Sequence, residues 1–131
     1  MFKFMLIFHH PEDIVGFENH YQELLALVER MPEITRRQVI HVTGSPAGRS
    51  PYYRILEVYY VDQQAMNRSL RSAAGQEAGA EIQKFAADSF EMAFAEVYEE
   101  NGGSTPSVMP STDETSTDDR SATTDGTPTI L

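Results

Sequence analysis

The apolar positions along the chain change their period several times, and each change marks an element. FKFMLIFH, residues 2–9, is dense enough in bulky and aromatic side chains to be a strand. PEDIVGFENHYQELLALVERM, residues 11–31, begins with Pro11, Glu12 and Asp13, a helix-start signature that sets acids near the positive end of the dipole. Ile14, Phe17, Tyr21, Leu24, Val28 and Met31 then follow at alternating steps of three and four, drawing one apolar stripe along a helix that stops before Pro32. TRRQVIHVT (35–43) and YYRILEVYYV (52–61) return to strand composition, separated by GSPAGRSP, whose Gly, Pro and Ser suit a link between antiparallel neighbours. DQQAMNRSLRSAAGQEAGAEIQKFA (62–86) reads as helix interrupted near Gly75, with Ala65, Met66, Leu70, Ile82 and Phe85 available to a sheet; SFEMAFAEVY (89–98) closes as a strand.

The order β-α-β-β-α-β predicts an α+β, ferredoxin-like split βαβ sandwich: four antiparallel strands with the helices on one face. Such a sheet should alternate apolar-in and polar-out. It does so only partly. Phe2, Phe4, Leu6 and Phe8 form one face of the first strand, yet Met5 and Ile7 lie beside Lys3 and His9 on the other. In the third strand Ile55, Tyr59 and Val61 alternate with Arg54, Leu56, Val58 and Tyr60, and in the last Phe90, Met92 and Phe94 alternate with Glu91, Ala93, Ala95 and Val97. Two substantially apolar faces imply that something covers the second one, so a homodimer with its sheets face to face, closing a barrel around a small cavity, is expected.

Composition divides the chain near Tyr98. Residues 1–98 form one domain with 13 acids and 9 bases, whereas residues 99–131 are Ser, Thr, Asp, Gly and Pro with few aliphatic side chains. A segment of that kind buries too little apolar area to offset its ordering entropy, and a disordered, solubilising acidic tail is expected. The formal charge of -10 owes much to this tail. No basic face suits a phosphate backbone, so nucleic acid is not an expected partner. Cysteine is absent, which excludes disulfides, thiolate metal sites and a cysteine nucleophile. The first ten residues carry too short an apolar run for a signal peptide, and no stretch approaches a membrane span, so a soluble, cytoplasmic protein without membrane contact is expected.

Three side chains are candidates for chemistry. His20 interrupts the amphipathic helix beside its apolar stripe, where an imidazole is a general base or a hydrogen-bond donor to a bound carbonyl, or a polar residue at the helix rim. Glu57 stands inside an apolar strand on the face of Ile55 and Tyr59; a carboxylate there is either paired, with Lys3 or an arginine, or raised in pKa. His41 lies on the neighbouring strand with Val39 and Thr43, and would orient or be oriented by Glu57 if the two share a face. Tyr21, Tyr59, Met5 and Ile7 are the residues expected to shape a ligand pocket. No metal site is expected, since the four histidines show no H-x-x-x-H spacing. GSPAGRS lacks the GK[ST] ending of a phosphate loop and joins two strands, and Asn67 of NRS falls in a predicted helix, so neither carries a function.

The segments MFKFMLIFHHPED, FENHY, SPYYRILEVYYVDQQAM, SAAGQEAGAEIQKFA and FAEV, in this order, resemble the EthD family of dimeric α+β barrel proteins across residues 1–98. The resemblance implies a homodimeric barrel with a pocket for small organic molecules between the sheet and the helix ends. Its wider superfamily spans cofactor-free isomerases, polyketide cyclases, small monooxygenases and haem-handling proteins, and EthD-like proteins themselves are tied to ether degradation. Family members often carry a second motif, His-x-Pro-Leu, and LLALV stands here in its place, with Leu25 and Leu27 where histidine and proline would fall. Together the residues and the resemblance point to a cofactor-free acid–base enzyme on a small hydrophobic or aromatic metabolite, an isomerase or cyclase. His20 would be its acid–base group. The alternatives are a non-catalytic, ligand-binding homodimer supporting a partner oxygenase, and an EthD-type oxidoreductase, for which no nicotinamide or flavin motif is present.

Overall fold

The computed structural model describes residues 1–102. The elements are β1 (Phe2–His9), α1 (Ile14–Glu29), β2 (Arg36–His41), β3 (Tyr52–Tyr60), α2 (Gln63–Arg71), α3 (Ala73–Ala86) and β4 (Phe90–Glu96). The strands form one sheet in the order β2-β3-β1-β4 with every pairing antiparallel, the ferredoxin-like arrangement. Residues 99–102 carry no regular secondary structure, and the rest of the acidic segment expected to be disordered lies outside the described residues.

Each helix starts where a short polar side chain caps it. Asp13 accepts from the Gly16 amide at 3.0 Å and Asp62 from the Ala65 amide at 2.8 Å, satisfying donors that the first helical turn leaves open. The second helical stretch is two helices rather than one, and the break falls at Ser72 instead of Gly75. Ser72 ends α2 and caps α3 at once, accepting from the Gly75 amide at 3.1 Å while its hydroxyl donates to the Ser69 carbonyl at 2.6 Å. Gly75 makes the corner possible: a Cβ there would sit 2.6 Å from the Leu70 carbonyl oxygen and closer still to that of Ser69.

The core lies between the helices and one face of the sheet. Phe4, Leu6 and Phe8 of β1 and Leu56, Val58 and Tyr60 of β3 meet Phe17, Tyr21, Leu24, Val28 and Met31 of the first helical stretch, with Ala65, Met66, Ala78, Ile82 and Ala86 from the other two helices. The predicted stripe is therefore the buried face of α1, except that Ile14 remains 53% exposed at the helix start. β4 extends beyond the helical cover. Phe94 and Met92 pair with Phe4 and Leu6, so they share the helix-side face, yet they are 61% and 43% exposed.

One polar pair is sealed inside this core. The Tyr60 hydroxyl and Ser69 Oγ are 2.8 Å apart, joining β3 to α2, and both residues are fully buried. Burial raises the Tyr60 phenol above its ordinary value, keeping it neutral. Ser69→Ala strands that hydroxyl without a partner and should cost about 1–3 kcal/mol. In urea unfolding, the double variant Tyr60→Phe/Ser69→Ala should recover most of that loss, because no polar group is then left unpaired.

Candidate functional site

The alternation of β3 carries Arg54 onto the same face as Leu56, Val58 and Tyr60, into the helix-side core, where it is 5% exposed. A guanidinium there needs a counter-charge. Glu18 of α1 supplies it: Arg54 Nη1 donates to Glu18 Oε1 at 3.1 Å and Nη2 to Oε2 at 2.8 Å, a bidentate pair. The Tyr53 hydroxyl donates to Glu18 Oε2 at 2.6 Å. These hydrogen bonds, that of Arg54 first, hold the Glu18 carboxyl below its ordinary value of 4.5, with His41 adding its field. The guanidinium also lies 5.0 Å from the centroid of the Tyr21 ring and 4.9 Å from that of Tyr53.

Aromatic rings close this corner. Phe17 stacks on Tyr21 at 5.5 Å, Phe8 meets both edge-on at 5.4 and 5.7 Å, and His10 approaches Tyr53 at 5.3 Å. Two buried polar atoms in it have no partner: the Tyr21 hydroxyl and Arg54 Nε. Burial pushes the Tyr21 phenol up to about 12, so it stays a protonated donor across the physiological range. Both are donors, sealed among aromatic rings with Tyr21 only 1% exposed, and a buried donor without an acceptor is uncommon in a folded protein.

The opposite face of the sheet holds a second polar group. Glu57, 9% exposed, accepts from Lys3 Nζ at 3.1 Å and from the Tyr59 hydroxyl at 2.7 Å, both on Oε1. The ion pair with Lys3 that the sequence allowed is thus formed. Gln38 Oε1 is 3.3 Å from the same hydroxyl, and the Arg36 guanidinium stacks 4.3 Å from the Tyr59 ring centroid. Strand register places Met5, Ile7, Ile40 and Ile55, all half-buried, around this group.

The seven residues singled out from sequence separate into three places. Glu57, Tyr59, Met5 and Ile7 share the open face. Tyr21 is in the aromatic corner. His41 is not the partner of Glu57: it stands opposite Arg54 in the β2–β3 register, whereas Glu57 stands opposite Gln38, so a sheet's thickness separates them. His20 is on neither face. It lies on the outside of the α1–α3 seam, stacked on Phe85 at 5.4 Å and 7°, with Nδ1 3.2 Å from Glu81 Oε2 and 3.7 Å from Glu23 Oε1. The hydrogen bond with His20 lowers the Glu81 carboxyl below its ordinary value. Arg54 and Glu18 were not among the sequence candidates; the signal was an arginine in phase with three apolar residues of a central strand.

No protein-family model matches the chain. An uncharacterized 11.0 kDa protein from the thcB-thcC intergenic region of Rhodococcus erythropolis is 23% identical over 97 residues, 73% of this chain and 94% of that protein. A crystal structure of an EthD-family protein from Bacillus halodurans is similar with a TM-score of 0.73 and 28% identity, over 75% of this chain and 99% of that one. The chain is EthD-like. The EthD-like fold extends to SnoaB, a cofactor-independent oxygenase from Streptomyces nogalater (TM-score 0.59, 13% identity, 76% and 94% covered), and to a dimeric ferredoxin-like protein from Jannaschia (TM-score 0.60, 17% identity, 74% and 100% covered). At those identities the likeness is one of fold. Among the described residues, no helix of the EthD-like chain is long and apolar enough to cross a membrane.

The Arg54–Glu18 pair makes a sharp test of this geometry. Glu18→Gln leaves a buried guanidinium half-compensated and should destabilise the domain at neutral pH by about 3 kcal/mol in urea unfolding. Because the folded Glu18 carboxyl is lowered, its contribution is complete above the ordinary carboxylate range and is lost as pH falls through the folded value. The gap between wild type and variant should therefore shrink in acid.

Proposed function

We propose that this EthD-like chain is a homodimer that binds a small aromatic or hydrophobic metabolite through an oxygen of that molecule, and acts on it by acid–base chemistry without a cofactor. The observation that supports binding is the pair of buried donors without acceptors, the Tyr21 hydroxyl and Arg54 Nε. Each unpaired donor costs about 1–3 kcal/mol, which an incoming carbonyl, enolate or phenolate oxygen would recover. Donors that hydrogen-bond to a carbonyl oxygen stabilise it further as negative charge develops, which is the help a proton abstraction beside that carbonyl requires. Tyr21 serves as the donor and not the base, given its high pKa. His41, exposed on the helix-side face opposite Arg54, is the residue we assign to proton transfer. His20, on the far side of the Phe85 ring, is given no step in this scheme.

The open face is assigned to the dimer. Met5, Ile7, Ile40 and Ile55 surround the compact group of Glu57, Lys3 and Tyr59, and the Jannaschia protein of like fold is described as dimeric. A second copy laid on this face would complete the desolvation of Glu57 while leaving its bonds to Lys3 and Tyr59 in place. Those two bonds make burial of that carboxylate tolerable.

A second reading, ligand binding without chemistry in support of a partner enzyme, draws on a separate observation. Glu18, the carboxylate nearest the donors in the aromatic corner, is held by three hydrogen bonds and is poorly placed to take a proton. Leu25 also occupies the position where the EthD resemblance places a second histidine.

Tyr21→Phe separates these ideas from a purely structural role. Titration with a panel of hydroxylated aromatics and quinones, followed by ligand-detected NMR, should show affinity about tenfold weaker in the variant, or about 1.4 kcal/mol. Its melting temperature should hold or rise, since an unpaired buried hydroxyl is removed. His41→Gln should retain binding and lose turnover; equal binding by wild type and Tyr21→Phe would refute the site. For the dimer, Ile55→Lys should reduce the mass seen by light scattering to that of one chain, and an unchanged mass would place the interface elsewhere.

A further inference from the structure

Outside both faces of the sheet, the α1–α3 seam gathers a histidine and two glutamates that the proposed function does not use. The ligand-capable atoms of His20, Glu23 and Glu81 all lie within 4.8 Å of one another. We propose that these three side chains form a binding site for a divalent transition-metal ion, with Zn²⁺ the best-matched ion.

The spacing is the first argument. A four-coordinate ion with bonds of about 2.0–2.2 Å holds its donors roughly 3.3–3.6 Å apart. His20 Nδ1 lies 3.2 Å from Glu81 Oε2 and 3.7 Å from Glu23 Oε1, so both spacings from the imidazole are within tenths of an ångström of those in a coordination shell, and the two carboxylates lie within 4.8 Å of each other. His20 and Glu23 are three residues apart on α1 and share one of its faces, while α3 brings Glu81 across to them.

Charge is the second argument. Both carboxylates converge on one imidazole nitrogen, which has at most one proton to donate, so each glutamate competes for it and repels the other. Glu81 has little water to turn to, because its side chain is only 10% accessible. The remaining cation on Glu81 is Lys84, 3.8 Å from Oε1 and 70% exposed, a weak counter-charge on the oxygen that faces away from His20. Nearby Arg30 is engaged with Glu77 at 2.9 Å. A divalent ion between the three side chains would use both carboxylates at once and replace the shared proton.

The surroundings hold the ligands and leave a way in. Phe85 lies parallel to the imidazole and fixes its plane. A shallow groove lined by Glu23, Ala26, Leu27, Arg30 and Glu81 opens beside the cluster. His20 and Glu23 are 46% and 67% accessible at their side chains, so water can fill the fourth position. One nitrogen and two carboxylate ligands suit Zn²⁺ better than Mg²⁺, which prefers oxygen donors in a six-coordinate shell. An ion here would tie α1 to α3.

The test uses the full-length chain without a polyhistidine tag. Saturating Zn²⁺ should raise the melting temperature by about 5 °C or more, and Co²⁺ should give the intense visible bands of a four-coordinate centre. Glu23→Gln, at an exposed position that folding does not depend on, should weaken Zn²⁺ binding at least tenfold in calorimetric titration, as should Glu81→Gln. The double variant His9→Gln/His10→Gln should bind as the wild type does. Absence of any thermal shift, or a shift and Co²⁺ spectrum that survive both glutamate substitutions, would overturn the proposal.

Discussion

A guanidinium inside a core of aromatic rings must be paired or the structure around it cannot persist, and much of this domain is arranged to meet that demand. Arg54 enters the core because β3 alternates, and β3 is a central strand with neighbours on both edges. Its charge then fixes what α1 must present. Glu18 reaches it bidentately, Tyr53 adds a third hydrogen bond to the same carboxylate, and the rings of Tyr21, Tyr53 and Phe17 line the guanidinium. Replacing a whole buried ion pair with well-packed hydrophobic residues of similar volume often leaves a fold as stable. The pair's presence in an otherwise apolar corner is what makes that corner chemically distinct from the rest of the core.

The two faces of the sheet follow different rules. On the helix side, aliphatic and aromatic side chains fill the space, and the polar groups that intrude are either paired, as with Tyr60 and Ser69, or left without an acceptor, as with the Tyr21 hydroxyl and Arg54 Nε. On the open side, half-buried Met5, Ile7, Ile40 and Ile55 enclose a carboxylate that already has two partners. The first arrangement leaves two hydrogen bonds unmet inside the fold, at the Tyr21 hydroxyl and Arg54 Nε. The second keeps its polar group paired within a half-buried apolar rim.

Several features were legible from the chain alone, and for clear reasons. Element order and strand character follow from changes of period, and the buried stripe of α1 follows from its three-and-four spacing. The corner at Ser72 was legible only as a weakness near Gly75, since the close approach of that glycine to the carbonyls of Ser69 and Leu70 is a contact between helices. Arg54 was visible in principle. The same alternation that assigned Leu56, Val58 and Tyr60 to the core carried the arginine with them, and an inward-phased charge in a central strand signals a buried ion pair. Its partner on α1 was not visible, because Glu18 is one of several acids on that helix and only docking selects it.

By itself, the sequence determined the ferredoxin-like architecture, the amphipathic faces and the residue types available for chemistry, since these depend on local spacing and composition. Tertiary structure alone decided which of those residues meet. The β2–β3 register, a matter of single-residue offsets, put His41 opposite Arg54 and a sheet's thickness away from Glu57. Helix packing, which brings together side chains sixty-one positions apart, put His20 against Glu81 instead of inside a pocket. Local pattern constrains the direction in which a side chain leaves the backbone; its partners across the fold are set by how elements far apart in the chain come to lie against one another.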